Sequence, residues 1–296
     1  MECLYRRSWG ADSLMRAHPL EVDHPNKKLV FERALRSPLA GTVEATRWTA
    51  APLPGTFGAS SAEPREGHYT YDGAPEVWHV NFADPELFFA YGSRLLAQDE
   101  LQCAEHPILG CVREAMIADG HPALTEEGGR ATPVLVRGAE RRVAIDSRRI
   151  YGNAFAAASP ELVRECTQPL DPAPRSNILA IAAPVGGGAY TREQITYALS
   201  AAYTGFAAAV HETAGAEIRT GFWGCGAFGG NRELMVAIQL AAARYAAVPR
   251  LVFYAFDDAG RADFERGAAV ARELSAEHAI TELLARDYRW GYGNGT

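Results

Sequence analysis

The chain repeats one arrangement along most of its length. A short apolar run rich in β-branched or aromatic residues is followed by a polar stop, then by a stretch whose apolar residues recur every three or four positions. VWHVNFA (77–83), PVLVR (133–137), RVAID (142–146), NILAIAA (177–183), AEIRTGF (216–222) and RLVFYAF (250–256) have the length, composition and Gly, Pro or Asp boundaries of strands. Thr191 to Gln194 reads as a capping box, after which Ile195, Leu199, Ala202, Phe206 and Val210 form a helical stripe that Gly215 ends. Asn231 is placed to cap a second helix with the stripe Leu234, Ile238, Ala241 and Tyr245, and Pro249 lies just beyond it. A third helix is expected from about Asp263, carrying Phe264, Ala268, Ala271 and Leu274. Strands that alternate with helices of this length predict an α/β sandwich. Residues 1–68 are the least regular part and end in a turn-rich run, so they read as an N-terminal extension packed on a main domain of residues 69–296.

Composition narrows the classes of function. At 296 residues and 48% hydrophobic content the chain can bury a sizeable core. Its 29 basic against 36 acidic residues, with no long run of one sign, argue against a duplex nucleic acid as partner. Charge or proline interrupts every apolar run in the first thirty residues, and nothing later has membrane-spanning length, so a cytoplasmic location and no membrane partner are expected. Five cysteines without CxxC spacing fit neither a disulfide framework nor a zinc ribbon. The eight histidines show no HxH or HxxxH spacing, and neither a catalytic metal nor a cofactor is expected.

Between the fifth strand candidate and the second capped helix lies TGFWGCGAFGG, residues 220–230. A glycine loop between strand and helix gathers free backbone N–H groups and the helix dipole, and lets the chain approach an anion closely. The spacing is neither GxxxxGK[ST] nor GxGxxG, so the residues alone leave a diphosphate cradle and a plain tight turn both open. PVGGG at 184–188 poses the same choice, with a plain turn favoured. Cys225 reads as a small loop residue and Ser93 as an ordinary loop serine.

TGFWGCGAFGG closely resembles the TGNWGCGAFGG segment of the poly(ADP-ribose) glycohydrolases, which are built on a macrodomain. NRELMVAIQLAAARYAAVPRLVFYAFDD is similar to the helix and VVYFTFGD strand that follow in that family. Upstream, VNFADPELFFAYGSRLLAQDELQ lines up without a gap against VDFANxxxGGGxxxxGxVQEEIR. The resemblance implies a macrodomain-like mixed sheet flanked by helices. It also implies a glycosidase acting on an ADP-ribose-like nucleotide or an ADP-ribosylated substrate. Glu100, in Gln98-Asp99-Glu100, takes the place of the family's catalytic acid, with Asp99 as its carboxylate neighbour. Breaking a ribosyl C1″–O bond through an oxocarbenium-like transition state needs such a carboxylic acid to protonate the departing oxygen. By the same resemblance Gly224, Cys225, Gly226, Ala227, Phe228 and Gly229 would hold the diphosphate. Phe256 would stack on adenine, Asn81 and Asp84 would orient the ribose or water, and Tyr151 or Phe155 would stand in for a substrate-clamping tyrosine.

The departures from the family pattern are informative. Its three glycines are Phe88, Phe89 and Ala90 here, and its Asn before Trp is Phe222. Its Asp-Phe-Ala-Asn reads Asn81-Phe82-Ala83-Asp84. These changes predict a distal-ribose pocket rebuilt for another aglycone, such as the flat group of an NAD-derived compound stacked on Phe88, Phe89 and Phe222. The alternative is a macrodomain that binds ADP-ribose or a related nucleotide without turnover.

Overall fold

The computed structural model describes residues 1–293. Eight strands form one mixed sheet: β1 (Cys3–Gly10), β2 (Thr42–Trp48), β3 (Ser61–Glu66), β4 (Val77–Ala83), β5 (Val134–Glu140), β6 (Arg175–Ala182), β7 (Glu217–Thr220) and β8 (Arg250–Phe256). Their spatial order is β1-β2-β5-β6-β4-β7-β8-β3. The five strands from β6 to β3 are mutually parallel, and β5 and β1 run against them. Residues 1–68 therefore supply both edges of the sheet, β1 and β2 at one and β3 at the other. RVAID pairs instead with Thr167–Pro169 in a separate two-stranded ladder.

Both faces of the sheet are covered. Along β6, Leu179 and Ile181 enter one apolar cluster while Ile178 and Ala180 enter another, the two-residue alternation of a strand buried on both sides. α1 (Ala11–Ala17), α2 (Pro25–Ala34), α3 (Gln98–Glu105) and α4 (Ile108–Ala118) contribute to the second cluster. α5 (Arg192–Glu212), α6 (Arg232–Tyr245) and α7 (Asp258–Glu273) close the first. The Thr191 hydroxyl accepts from Gln194 N–H and Gln194 reaches back to Thr191 N–H, so the expected capping box starts α5. α7 begins five residues before the expected Asp263, because the Asp257 carboxylate accepts from Gly260 N–H and caps it there. None of the helices among the described residues is long and apolar enough to cross a membrane.

The register aligns the carboxyl ends of the central strands. Ala83 of β4 lies opposite Ala182 of β6, so Asp84 and Ala183 leave the sheet side by side. β7 ends earlier, at Thr220, level with Val80 of β4, and runs on as the glycine loop. Ligands of open α/β sheets bind in the crevice at these ends.

The glycine loop turns into α6 at Asn231, whose side-chain oxygen accepts from Leu234 N–H at 3.0 Å. Asn231→Ala should cost about 1 kcal/mol of stability, read as a lower midpoint in urea unfolding with an unchanged slope.

Candidate active site

The first wall of the crevice is made where α3 starts. Gln98 spends its amide on the end of β4, accepting from Phe82 N–H at 2.7 Å and donating to Val80 C=O at 3.1 Å. This clasp holds the first turn of α3 at the mouth of the sheet. Asp99 and Glu100 follow and are nearly buried. Asn81 Nδ2 and the Cys103 thiol both donate to Asp99 Oδ1. Glu100 Oε2 accepts from Ala97 N–H at 2.9 Å, fixing the carboxyl across its own helix end.

Two adjacent carboxyl groups in such a place cannot both ionise freely. Burial pushes Asp99 up to about 7, with the neighbouring charge of Glu100 adding to the effect. Burial also raises Glu100, while a hydrogen bond from its own backbone N–H, then the ammonium of Lys27 and the Ala97 N–H, pull it back. A carboxylic acid held above its ordinary range is what proton donation near neutral pH requires.

The opposite wall is the glycine loop, which is anchored at three points. The Thr220 hydroxyl donates to Gln239 Oε1 and Gln239 Nε2 donates to Gly221 C=O, both inside the core. The Trp223 indole donates to Ile181 C=O of β6. Tyr190 OH accepts from Asn231 N–H. Within the loop, Gly230 N–H returns to Gly224 C=O. The N–H groups of Gly224, Gly226, Ala227 and Phe228 take no partner among the described residues. Those four residues line the cleft that also holds Asp84, Asp99, Glu100, Tyr151 and Ala183. No lysine or arginine lines that cleft among the described residues, so an anion there would meet backbone amides.

A second lobe continues on the other side of Phe82 and Gln98, which line both. It is aromatic, with Tyr69, Tyr71, Tyr254 and Phe256 around it, and Phe256 is partly exposed. Its floor holds a buried ion pair in which Arg141 grips both oxygens of Glu105, at 2.8 and 2.9 Å. Gln102 donates to Tyr71 OH and leaves a buried carbonyl oxygen unpartnered.

The structure thus brings together Asn81, Asp84, Gln98, Asp99, Glu100, Gly224, Gly226, Ala227, Phe228 and, in the adjoining lobe, Phe256. Tyr151 reaches the cleft, whereas Phe155 is buried beneath it. Cys225 turns back to Trp223 C=O, and burial pushes its thiol well above the ordinary range. Gly229 faces the chain end instead, accepting from Gly291 N–H.

The three phenylalanines expected to floor a rebuilt pocket are not gathered there. Phe88 takes a left-handed backbone with φ 52°, a conformation that favours glycine, and its side chain is fully buried in the cluster with α4. Phe89 points to solvent beside the Arg113 guanidinium. Phe222 lies between Phe253 and Phe256, with the Arg232 guanidinium over its ring. PVGGG does not line the cleft either, and Val185 C=O accepts from Gln194. Tyr69, Tyr71, Gln102, Glu105, Arg141 and Tyr254 also belong to the site, although none was expected there from the sequence. The alternation in HYTYD (68–72) and the i, i+3 spacing of Gln102 and Glu105 were the available signals.

Residues 123–263 match the family model described as poly(ADP-ribose) glycohydrolase, macro domain fold. The matched span contains the glycine loop and Phe256 but begins after Glu100. No curated protein matches the sequence. Among solved structures the chain is similar to poly(ADP-ribose) glycohydrolase from Thermomonospora curvata bound to the inhibitor ADP-HPD. Identity is 15%, over 88% of this chain and 84% of that one, with a TM-score of 0.51. A glutamate-to-alanine mutant of that enzyme is equally similar, at 15% identity, 88% and 84% coverage and a TM-score of 0.51. The poly(ADP-ribose) glycohydrolase of Deinococcus radiodurans in complex with ADP-ribose is 13% identical, over 88% of this chain and 93% of that one, with a TM-score of 0.46. The shared feature is the fold.

Gly224 has φ 73°, and a Cβ there would stand 2.7 Å from the Cβ of Ala183. Gly224→Ala should therefore destabilise the protein by about 1–3 kcal/mol. Gly187→Ala, into open space, should stay within about 0.5 kcal/mol of the parent in the same urea titration.

Proposed function

We propose that the chain, whose residues 123–263 match the poly(ADP-ribose) glycohydrolase model, is a member of that family and hydrolyses the glycosidic bond at the distal ribose of an ADP-ribose-like compound. The observation that carries this reading is the opposition, across one cleft, of a buried acid pair and a loop with four amides that have no partner among the described residues. The adenine would lie in the aromatic lobe against Phe256. The diphosphate would lie on the N–H groups of Gly224, Gly226, Ala227 and Phe228. This run of subsites would deliver the distal ribose to Glu100. ADP-HPD, the inhibitor held by the similar Thermomonospora curvata enzyme, is a ligand of the kind that such subsites would take.

In the reaction, protonated Glu100 gives its proton to the departing oxygen or nitrogen as the C1″ bond lengthens. Asp99, tied to Asn81, would lie beside the positive charge that develops on the ribose. Water attacks C1″, and its proton returns to the Glu100 carboxylate. Asp84 is exposed at the cleft edge, with one carboxylate oxygen accepting from Glu86 N–H, and would orient the ribose hydroxyls or the water. The acceptor would be a protein, a nucleic acid end or a small metabolite. Stacking of a flat aglycone on Phe88, Phe89 and Phe222 is not part of this reading, since those side chains lie elsewhere.

Binding of an ADP-ribose-like ligand without turnover is the second reading. One observation favours it: Glu100 Oε2 is already engaged by Ala97 N–H. Hydrolysis and binding separate in the variants.

Glu100→Gln should lower release of ADP-ribose from an ADP-ribosylated substrate by at least about 100-fold. Its calorimetric affinity for ADP-ribose should stay within about tenfold of the parent, a change below about 1.4 kcal/mol. Release that survives this substitution would refute the acid assignment. Absence of release by the parent, with binding intact, would leave the second reading. For an acid with a raised pKa, kcat/KM is full below that pKa and falls as pH rises through it. The basic limb should thus lie above the ordinary glutamate value of about 4.3. Phe256→Ala should weaken ADP-ribose binding by about 1–3 kcal/mol.

A further inference from the structure

Lys27 is a lysine without any solvent exposure, a state that lysine reaches only when something compensates its charge. It sits in the first turn of α2, in the N-terminal segment, and Nζ donates to Leu95 C=O at 2.8 Å. Leu95 itself lines the cleft beside Ala97 and Glu100. The ring of Phe155 lies 5.4 Å from the ammonium and seals it from below. α2 is locked in place by Asn26, whose side chain donates to both Phe155 C=O and Ala158 C=O. The ammonium is therefore held behind the wall of the cleft that carries the acid pair.

We infer that Lys27 is the internal countercharge of the Asp99–Glu100 pair and sets the protonation of the proposed acid from behind the cleft. The assignment of the acid rests on the reading above, whereas the countercharge stands on the burial of Lys27 and on its bond to Leu95 C=O, two residues before the Ala97 N–H that holds Glu100.

The surrounding groups leave Lys27 no other negative partner among the described residues. Burial lowers Lys27 to about 8, against which the Glu100 and Asp99 carboxylates of α3 hold it up, while Cys103 beside them is a neutral thiol that donates to Asp99. Glu105, farther along α3, is taken by Arg141. On the helix Pro160–Cys166, which also packs against α2, Glu161 faces Arg164 and Glu165 faces Arg149. On the strands Val143–Ile145 and Thr167–Pro169 there is no ionisable side chain. On α2 itself Arg33 donates to Thr167 C=O, and Lys28 and Glu32 lie at the surface. His24, at the N-cap, is lowered by burial and then by Lys27 and Arg94, which disfavours a second positive charge on that side.

The arrangement has a chemical purpose. Burial and the Asp84 carboxylate raise Glu100, and the backbone N–H groups of Glu100 and Ala97 offset part of that rise. A fixed positive charge behind the pair stabilises the carboxylate left by donation, without occupying the cleft. Lys27 touches no substrate position and acts only through the acid, so it is a positioning residue.

Two measurements on the full chain test this. In Lys27→Met the basic limb of the pH–kcat/KM profile should move up by about one unit or more, because the carboxylate loses its partner. A limb that does not move in a folded variant overturns the inference. The second measurement needs no turnover: the lysine 13Cε resonance of Lys27 is followed against pH in the parent and in Glu100→Gln. Loss of the Glu100 charge should lower the Lys27 midpoint by a measurable fraction of a unit or more, and an unchanged midpoint overturns the pairing even if Lys27→Met fails to fold. If the parent releases no ADP-ribose but the midpoint falls, the glycosidase reading fails while the countercharge stands.

Discussion

The Gln98 side chain spans two backbone groups of β4 and thereby decides where α3 begins. A helix start has free N–H groups and a positive dipole end, and here it is fixed against the carboxyl end of a parallel strand. Asp99 and Glu100 project from that start into the crevice between β4 and the glycine loop. Without the clasp the two acids would sit on a mobile helix end, solvated and of ordinary acidity. With it they are buried next to each other, and their raised pKa values follow from where they are held.

The glycine loop is the complementary constraint. Its conformation is held from outside by Gln239, Ile181 and Tyr190, and four of its amides, those of Gly224, Gly226, Ala227 and Phe228, have no partner among the described residues. The cleft carries several acids and no lysine or arginine among its described lining, yet it offers an anion a place. The N–H groups and the first turn of α6 supply a positive field that does not neutralise the acids opposite. Lys27 completes the balance from behind, where it adds charge without competing for the diphosphate.

Much of this could be read from the residues because it is local in the chain. Strand, loop and capped helix are contiguous from Glu217 to Tyr245, and Gln98, Asp99 and Glu100 are neighbours. What is assembled from distant segments was not legible. Lys27 is more than seventy residues from Glu100, and no pattern in HPNKK marks its lysine as buried. Tyr69 and Tyr71 lie after the turn-rich run, outside every strand and helix candidate, although they wall the aromatic lobe. The direction of a side chain was equally hidden. Phe88 and Phe89 are adjacent, but the left-handed backbone at Phe88 sends one into the core and leaves the other in solvent. Correspondence with a family pattern carries no information on which way Phe88 and Phe89 point.

The central claim is that one continuous crevice takes a nucleotide with its base in the aromatic lobe, its diphosphate on the glycine loop and its distal ribose at Glu100. A crystal structure of the Glu100→Gln protein with ADP-ribose tests this most directly. The account predicts diphosphate oxygens within hydrogen-bond distance of the amides of residues 224, 226, 227 and 228, adenine against Phe256, and C1″ beside residue 100. A ligand bound outside the crevice, or one whose distal ribose lies in the aromatic lobe away from residue 100, would contradict it.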